Sequence, residues 1–261
     1  SGRLVCFTAA ACMLWVGLAA PAHGGRFWDG GKPEDNFFTS NKNWNNNDHP
    51  DFNDTSLELV FGNAGIQALL DRDVSVASFL FNRDFTVFTL GGYTVSLTSG
   101  LTVQGSSDNV VLHAPIEVAD RQTWEINGTF DLHANLKGSY ATVRKTGDGT
   151  MTFLGSDFWQ GNLTIDAGTL RVGNGGTAGT LQSDLWVGNQ VELIVDRYDD
   201  WTYNGYLLSG HPNWTIRKRG AGTLTVTNLS YFEGETIVEH GTLRIEKIGR
   251  ASCRERVCHR V

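Results

Sequence analysis

From Leu57 onward the chain alternates apolar and polar residues in short runs that break at Gly, Asn, Asp or Ser. The runs at 74–81, 85–90, 93–97, 101–104, 110–112, 123–126 and 129–133 are rich in β-branched and aromatic residues. A period of two bounded by turn residues predicts strands with one face turned to a core. No long segment carries a helical period, so the expected class is all-β.

Two stretches 73 residues apart repeat one 28-residue pattern. Lys145-Thr146-Gly147-Asp148-Gly149-Thr150-Met151-Thr152-Phe153 returns as Lys218-Arg219-Gly220-Ala221-Gly222-Thr223-Leu224-Thr225-Val226. Gly161 followed by Gly168-Thr169-Leu170-Arg171-Val172 returns as Gly234 followed by Gly241-Thr242-Leu243-Arg244-Ile245. The gapless alignment of 145–172 with 218–245 holds 10 identities. Period two puts Met151, Phe153, Leu170 and Val172, and their counterparts Leu224, Val226, Leu243 and Ile245, on the inward side. Repetition of this kind predicts a solenoid whose coils bury their apolar faces only by stacking. The glycines recur where the chain must turn, and Asp-Gly occurs in only one copy, so parallel coils are expected over a hairpin-built sandwich.

Residues 23–56 are rich in Asn, Asp and aromatics and weakly periodic, which predicts an N-terminal cap over the first coil of a β-helix at 57–247. The stretch from Asn174 to Pro212 is expected to form irregular or divergent coils between the two clear repeats. At the start, Arg3, an apolar run from Leu4 to Ala20 and the sequence Ala20-Pro21-Ala22 have the form of a secretory signal cleaved after Ala22. Residues 248–261 break the alternation and bring four arginines. They look like translated adapter sequence, so the chain is expected to be a fragment, truncated at the C-terminus of its solenoid.

Residues 23–247 hold 16 Lys and Arg against 27 Asp and Glu, and none of the four cysteines. An acidic surface argues against nucleic acid and against anionic membranes, and no direct membrane insertion is expected of 23–247. Without disulfides, stability must come from the core.

The residues of the two copies resemble the autotransporter-associated (passenger-associated) β-strand repeat, roughly Lys-x-Gly-x-Gly-Thr-Leu-x-Leu, an aromatic, Gly, then Gly-Thr-Leu. Met151 replaces the first Leu, and Trp159 and Phe232 stand where the family often has Tyr. Trp28-Asp29-Gly30, Asn43-Trp44 and the runs at 90–97 and 122–126 are similar to the lead-in of such proteins. The resemblance implies a right-handed parallel β-helix exported by a bacterium, secreted or held at the outer cell surface, as an adhesin-like passenger or stalk.

Two other functions remain open on the residues. Asp196, Asp199 and Asp200, beside Tyr198 and Trp201, offer the paired carboxylates of a β-helical polysaccharide lyase or glycoside hydrolase. Trp201 and Trp214 are candidate ligand-stacking residues for a non-catalytic carbohydrate-binding module, with the non-repeating Trp28 and Trp44 as further candidates, although such rings more often form part of a core. Phe158, Trp159, Tyr231 and Phe232, at equivalent repeat positions, are expected to stack within the fold. No catalytic residue is assigned on the scaffold reading, no metal set or cofactor motif is expected, and the expected partners are extracellular glycans or the surfaces of host or neighbouring cells.

Overall fold

In the computed structural model the alternation closes into parallel sheets that form a β-solenoid of about eight turns. The structure describes residues 25–28, 36–62, 67–107, 109–138, 140–156, 161–230 and 233–246. The leader at 1–22, the stretch Asp29 to Gly31, the aromatics Phe158, Trp159, Tyr231 and Phe232, and the tail at 248–261 lie outside the described residues.

Each turn lays a strand beside the strand one turn earlier, always parallel. Thr142–Thr146 pairs with Asn162–Ile165, which pairs with Asp184–Val187. On a second sheet Thr129–Leu132, Thr150–Phe153, Thr169–Val172, Glu192–Asp196, Thr215–Arg219 and Glu235–Val238 pair in that order. The first sheet forks: residues 95–97 of Val95–Val103 pair with Ile116–Val118, while residues 100–103 pair with Gln122–Ile126. Register shifts between Val76 and Ser78, and between Tyr203 and Tyr206, mark where long strands bend from one side of the coil to the next. The solenoid therefore has three walls. The first runs through Gln122–Ile126, Thr142–Thr146, Asn162–Ile165, Asp184–Val187 and residues 206–208. The second is the separate sheet. The third runs through Leu136–Gly138, a single bridge from Ser156 to Thr180, residues 201–203 and Thr242–Ile245.

Inward positions stack into columns. Phe130, Met151, Leu170, Leu193 and Ile216 stand over one another on the second wall. Leu163, Leu185, Leu207 and Leu229 do so on the first. All are buried, and each contributes about 1.5–3 kcal/mol by leaving water. Leu243 pairs with Leu224 and packs against the same core.

The segment from Asn174 to Pro212 is more regular than its sequence suggests. Asp184–Val187, Glu192–Asp196 and Trp201–Leu208 continue the walls in register. Alternation of Leu185 with Val187 and Leu193 with Val195 suffices for pairing even where the glycine corners of the repeat are missing. At the N-terminal end Trp28, Phe38, Trp44 and Phe52 close over Phe61 and Phe85. The Trp28 and Trp44 rings meet edge to face at 5.2 Å, and both are fully buried.

Candidate functional site

The repeat motif builds a corner. Lys145 shares the inward parity of Val143 and stands in an apolar column between Trp124 and Ile165. Lys218 stands likewise between Val195 and Val238. Both side chains are buried. The Lys145 ammonium donates to the carbonyl oxygens of Gly147 and Ala167, each at 2.9 Å. That of Lys218 donates to Arg219 and, at 2.8 Å, to Gly220. These bonds satisfy carbonyls that the turning backbone leaves without a ladder partner.

Burial pulls the Lys145 pKa down from its ordinary 10.5 to about 8, against the opposing pull of Asp148. Lys218 is lowered by burial as well, opposed by Asp196 and Asp200. Gly147 and Gly220 turn the corner at φ of 76° and 73°, where a side chain would strain the backbone. Gly149 and Gly222 serve a different need. A Cβ at Gly149 would overlap the carbonyl oxygen of Gly128, and one at Gly222 that of Asp199.

Of the aspartates that suggested catalysis, Asp199 and Asp200 belong to such a corner and Asp196 to the end of the strand before it. Asp196 accepts from Arg171 Nη2 at 2.6 Å on the outer side of the second wall. Asp199 holds Arg197 through Nε at 3.1 Å and Nη2 at 2.8 Å. Asp200 accepts the backbone N–H of Thr223 at 2.7 Å. The Arg197 guanidinium is buried, donates also to the Gly179 carbonyl, and lies 5.6 Å from the centre of the Trp201 ring. The structure thus brings Asp199, Arg197 and Trp201 together and gives each carboxylate a different partner. Beside Trp201 and Tyr203 lies an apolar void of about 20 Å³, lined by none of the three aspartates.

Trp201 is half-buried and packs against the core, while Trp214 is 1% exposed. Trp214, Trp28 and Trp44 offer no ring face to a ligand. Among the described residues, no three His, Cys, Asp or Glu side chains gather as a metal set, and no helix is long and apolar enough to cross a membrane.

Two rings that sequence reasoning passed over do face solvent. Trp186 is 49% exposed and Tyr206 51% exposed. Both lie on the outer side of the first wall, on consecutive turns, with Leu185 and Leu207 paired inward between them. Their signal was present: Trp186 takes a polar-parity position in Asp184-Leu185-Trp186-Val187. A large aromatic at an outward site is the pattern to look for.

Residues 143–172 and 216–245 match the model of the passenger-associated-transport-repeat. The chain carries two passenger-associated-transport repeats. Each covers one full turn and part of the next, from a strand carrying a buried lysine to a strand that stacks on the first corner. The repeats and the solenoid fit an autotransporter passenger domain, a family that implies secretion or display at the cell surface. No curated protein and no solved structure matches the chain.

Proposed function

We propose that this chain is an exported, non-enzymatic scaffold: a passenger segment that forms a surface stalk or an adhesin-like rod. The observation that carries this reading is the fate of the polar groups. Lys145, Lys218, Arg197 and the carboxylates of Asp199 and Asp200 are engaged in bracing corners, and Asp196 in tying neighbouring strands, one after another along the axis. An enzyme of this architecture would gather such groups around one cavity. A rod gains from distributing them, because each turn contacts only its neighbours and needs its own brace.

The test is to express the complete gene in a Gram-negative host and treat intact cells with protease. Export predicts digestion of this segment without lysis, and protection until lysis would sink the reading. Purified protein should not depolymerise neutral or acidic polysaccharides. If it does, and Asp196→Asn or Asp200→Asn abolishes the turnover, the lyase or hydrolase alternative holds instead.

A further inference from the structure

Beside Trp186 the outer side of the first wall carries an open groove of about 410 Å³. Its residues include Thr164, Asp166, Trp186, Gly188, Gly210 and His211. The groove stays open at Gly210, where a Cβ would meet nothing within 4 Å, while Gly188 lets its backbone pass close to the carbonyls of Ile165 and Asp166. Gly188 lies where the chain leaves the strand of Trp186, and Gly210 where it leaves that of Leu208, the ladder partner of Trp186. Neither fills the space beside the indole. Asp166 borders one side and is held by Arg144. His211 borders the other, its backbone N–H donating to Ser209 Oγ at 3.3 Å. Tyr206 stands diagonally from Trp186, with its backbone N–H bound to Asp184 Oδ1 at 2.9 Å. Neither ring stacks on another aromatic among the described residues.

The geometry points to a binding site for a neutral glycan chain lying along this wall, with Trp186 as the stacking platform and Tyr206 as a second contact. The chemistry selects that occupant. A pyranose presents a C–H face that packs on an indole, and a rim of hydroxyls that hydrogen-bond to a carboxylate, a hydroxyl and an imidazole. Asp166, Thr164 and His211 supply those three around one ring. An apolar peptide or lipid would instead strip water from the Asp166–Arg144 ion pair and offer it no polar partner in exchange. A polyanionic glycan would meet Asp166 and Asp184 on a protein of net charge −7. The inference stands on this wall alone, so it and the export reading can fail separately.

The probes are hexasaccharides of glucose, mannose, xylose and N-acetylglucosamine, titrated into the full chain by calorimetry. At least one should bind. Trp186→Ala should weaken it by about tenfold or more. Gly210→Trp should do the same by filling the groove, since a Cβ at Gly210 meets nothing within 4 Å and the backbone needs no adjustment. Tyr198→Ala removes an exposed ring outside the groove and should leave affinity unchanged. Thermal melts of the variants report whether the fold is intact. The proposal is overturned if no neutral hexasaccharide binds at millimolar concentration, if only uronate polymers bind, if the groove instead mediates self-association, or if binding survives both Trp186→Ala and Gly210→Trp.

Discussion

Lys145 and Lys218 hold the same place in the repeat yet stand on different walls of the solenoid. Lys145 pairs with Ile165 on the first wall, and Lys218 with Val238 on the second. The spacing explains it. A turn here advances 22 residues, as from Leu163 to Leu185 to Leu207 to Leu229. The 73 residues between the copies are therefore three turns and about a third of another. Like stands over like within a copy, as Met151 over Leu170 and Leu224 over Leu243, but not between copies. What the motif encodes is a corner, and the corner works at two edges of the coil.

The buried lysines should give the fold an alkaline stability gain. Lys145 titrates near 8 in the fold and near its ordinary 10.5 when unfolded. Between those values the unfolded chain binds more protons, so stability rises as pH climbs from about 8 toward about 10.5. Lys218 adds in the same direction. In urea denaturation at pH 7, 9 and 10, Lys145→Met should show less of this rise than the parent. At pH 10, where the folded amine is neutral and no charge is buried, it should be about 1–3 kcal/mol less stable, because the carbonyls of Gly147 and Ala167 lose their donor. Identical pH profiles for parent and variant would contradict this account.

The glycines should separate by mechanism. Gly222→Ala drives a methyl into the Asp199 carbonyl of the turn before and should cost about 3 kcal/mol, the upper end of overpacking penalties. Gly91 has φ of 67° but open space around it, so Gly91→Ala should cost only the left-handed strain, about 1–2 kcal/mol. Equal losses of melting temperature would mean that close stacking of the turns is not the constraint.

Asp199 should matter for stability rather than for turnover. Its side chain is the bidentate partner of a guanidinium that is 5% exposed. Because Asp199 itself is 37% exposed, Asp199→Asn should cost about 2 kcal/mol, less than the loss of a fully buried partner. Glu246→Gln, which removes an exposed pair with Arg244, should change stability by less than about 0.5 kcal/mol. Denaturant midpoints of the two variants check the contrast.

The outer side of the second wall carries two imidazoles in contact, their planes tilted by 41°. His113 lies 4.6 Å from His133 and parallel to Phe88. Burial first, and then the His133 charge, hold the His113 pKa below its ordinary 6.5. The neutral form is favoured in the fold, so this group takes stability away as pH falls from 6.5 through the lowered value. In NMR titrations His133→Gln should move the His113 midpoint upward but short of 6.5, since burial remains. A midpoint unmoved by His133→Gln would remove the electrostatic part of the argument.

The solenoid was legible because alternation and a gapless repeat both survive translation into parallel ladders. Leu170 and Leu243 point inward as their parity requires. The regularity of 174–212 was hidden because its corners use Arg197 and Asp199 where the repeat uses Gly220 and Gly222. The role of Lys145 was hidden for a related reason: inward parity with Val143 is readable, but a charged side chain in an apolar column runs against the usual pattern. Trp214 and Trp186 illustrate the limit for ligand sites. Both are tryptophans in strand-rich sequence, and only the parity of their neighbours separates the buried ring from the open one.

A corner that works at more than one edge lets such a rod lengthen by fractions of a revolution. Adding one strand and one corner would turn everything downstream by a third of a circle, yet each displaced strand would still find a parallel neighbour to bond with. Duplication would then reshuffle which side chains look outward on every flank while the interior columns reform unchanged. Descendants of a single ancestral segment could in this way acquire new surfaces without redesigning their core.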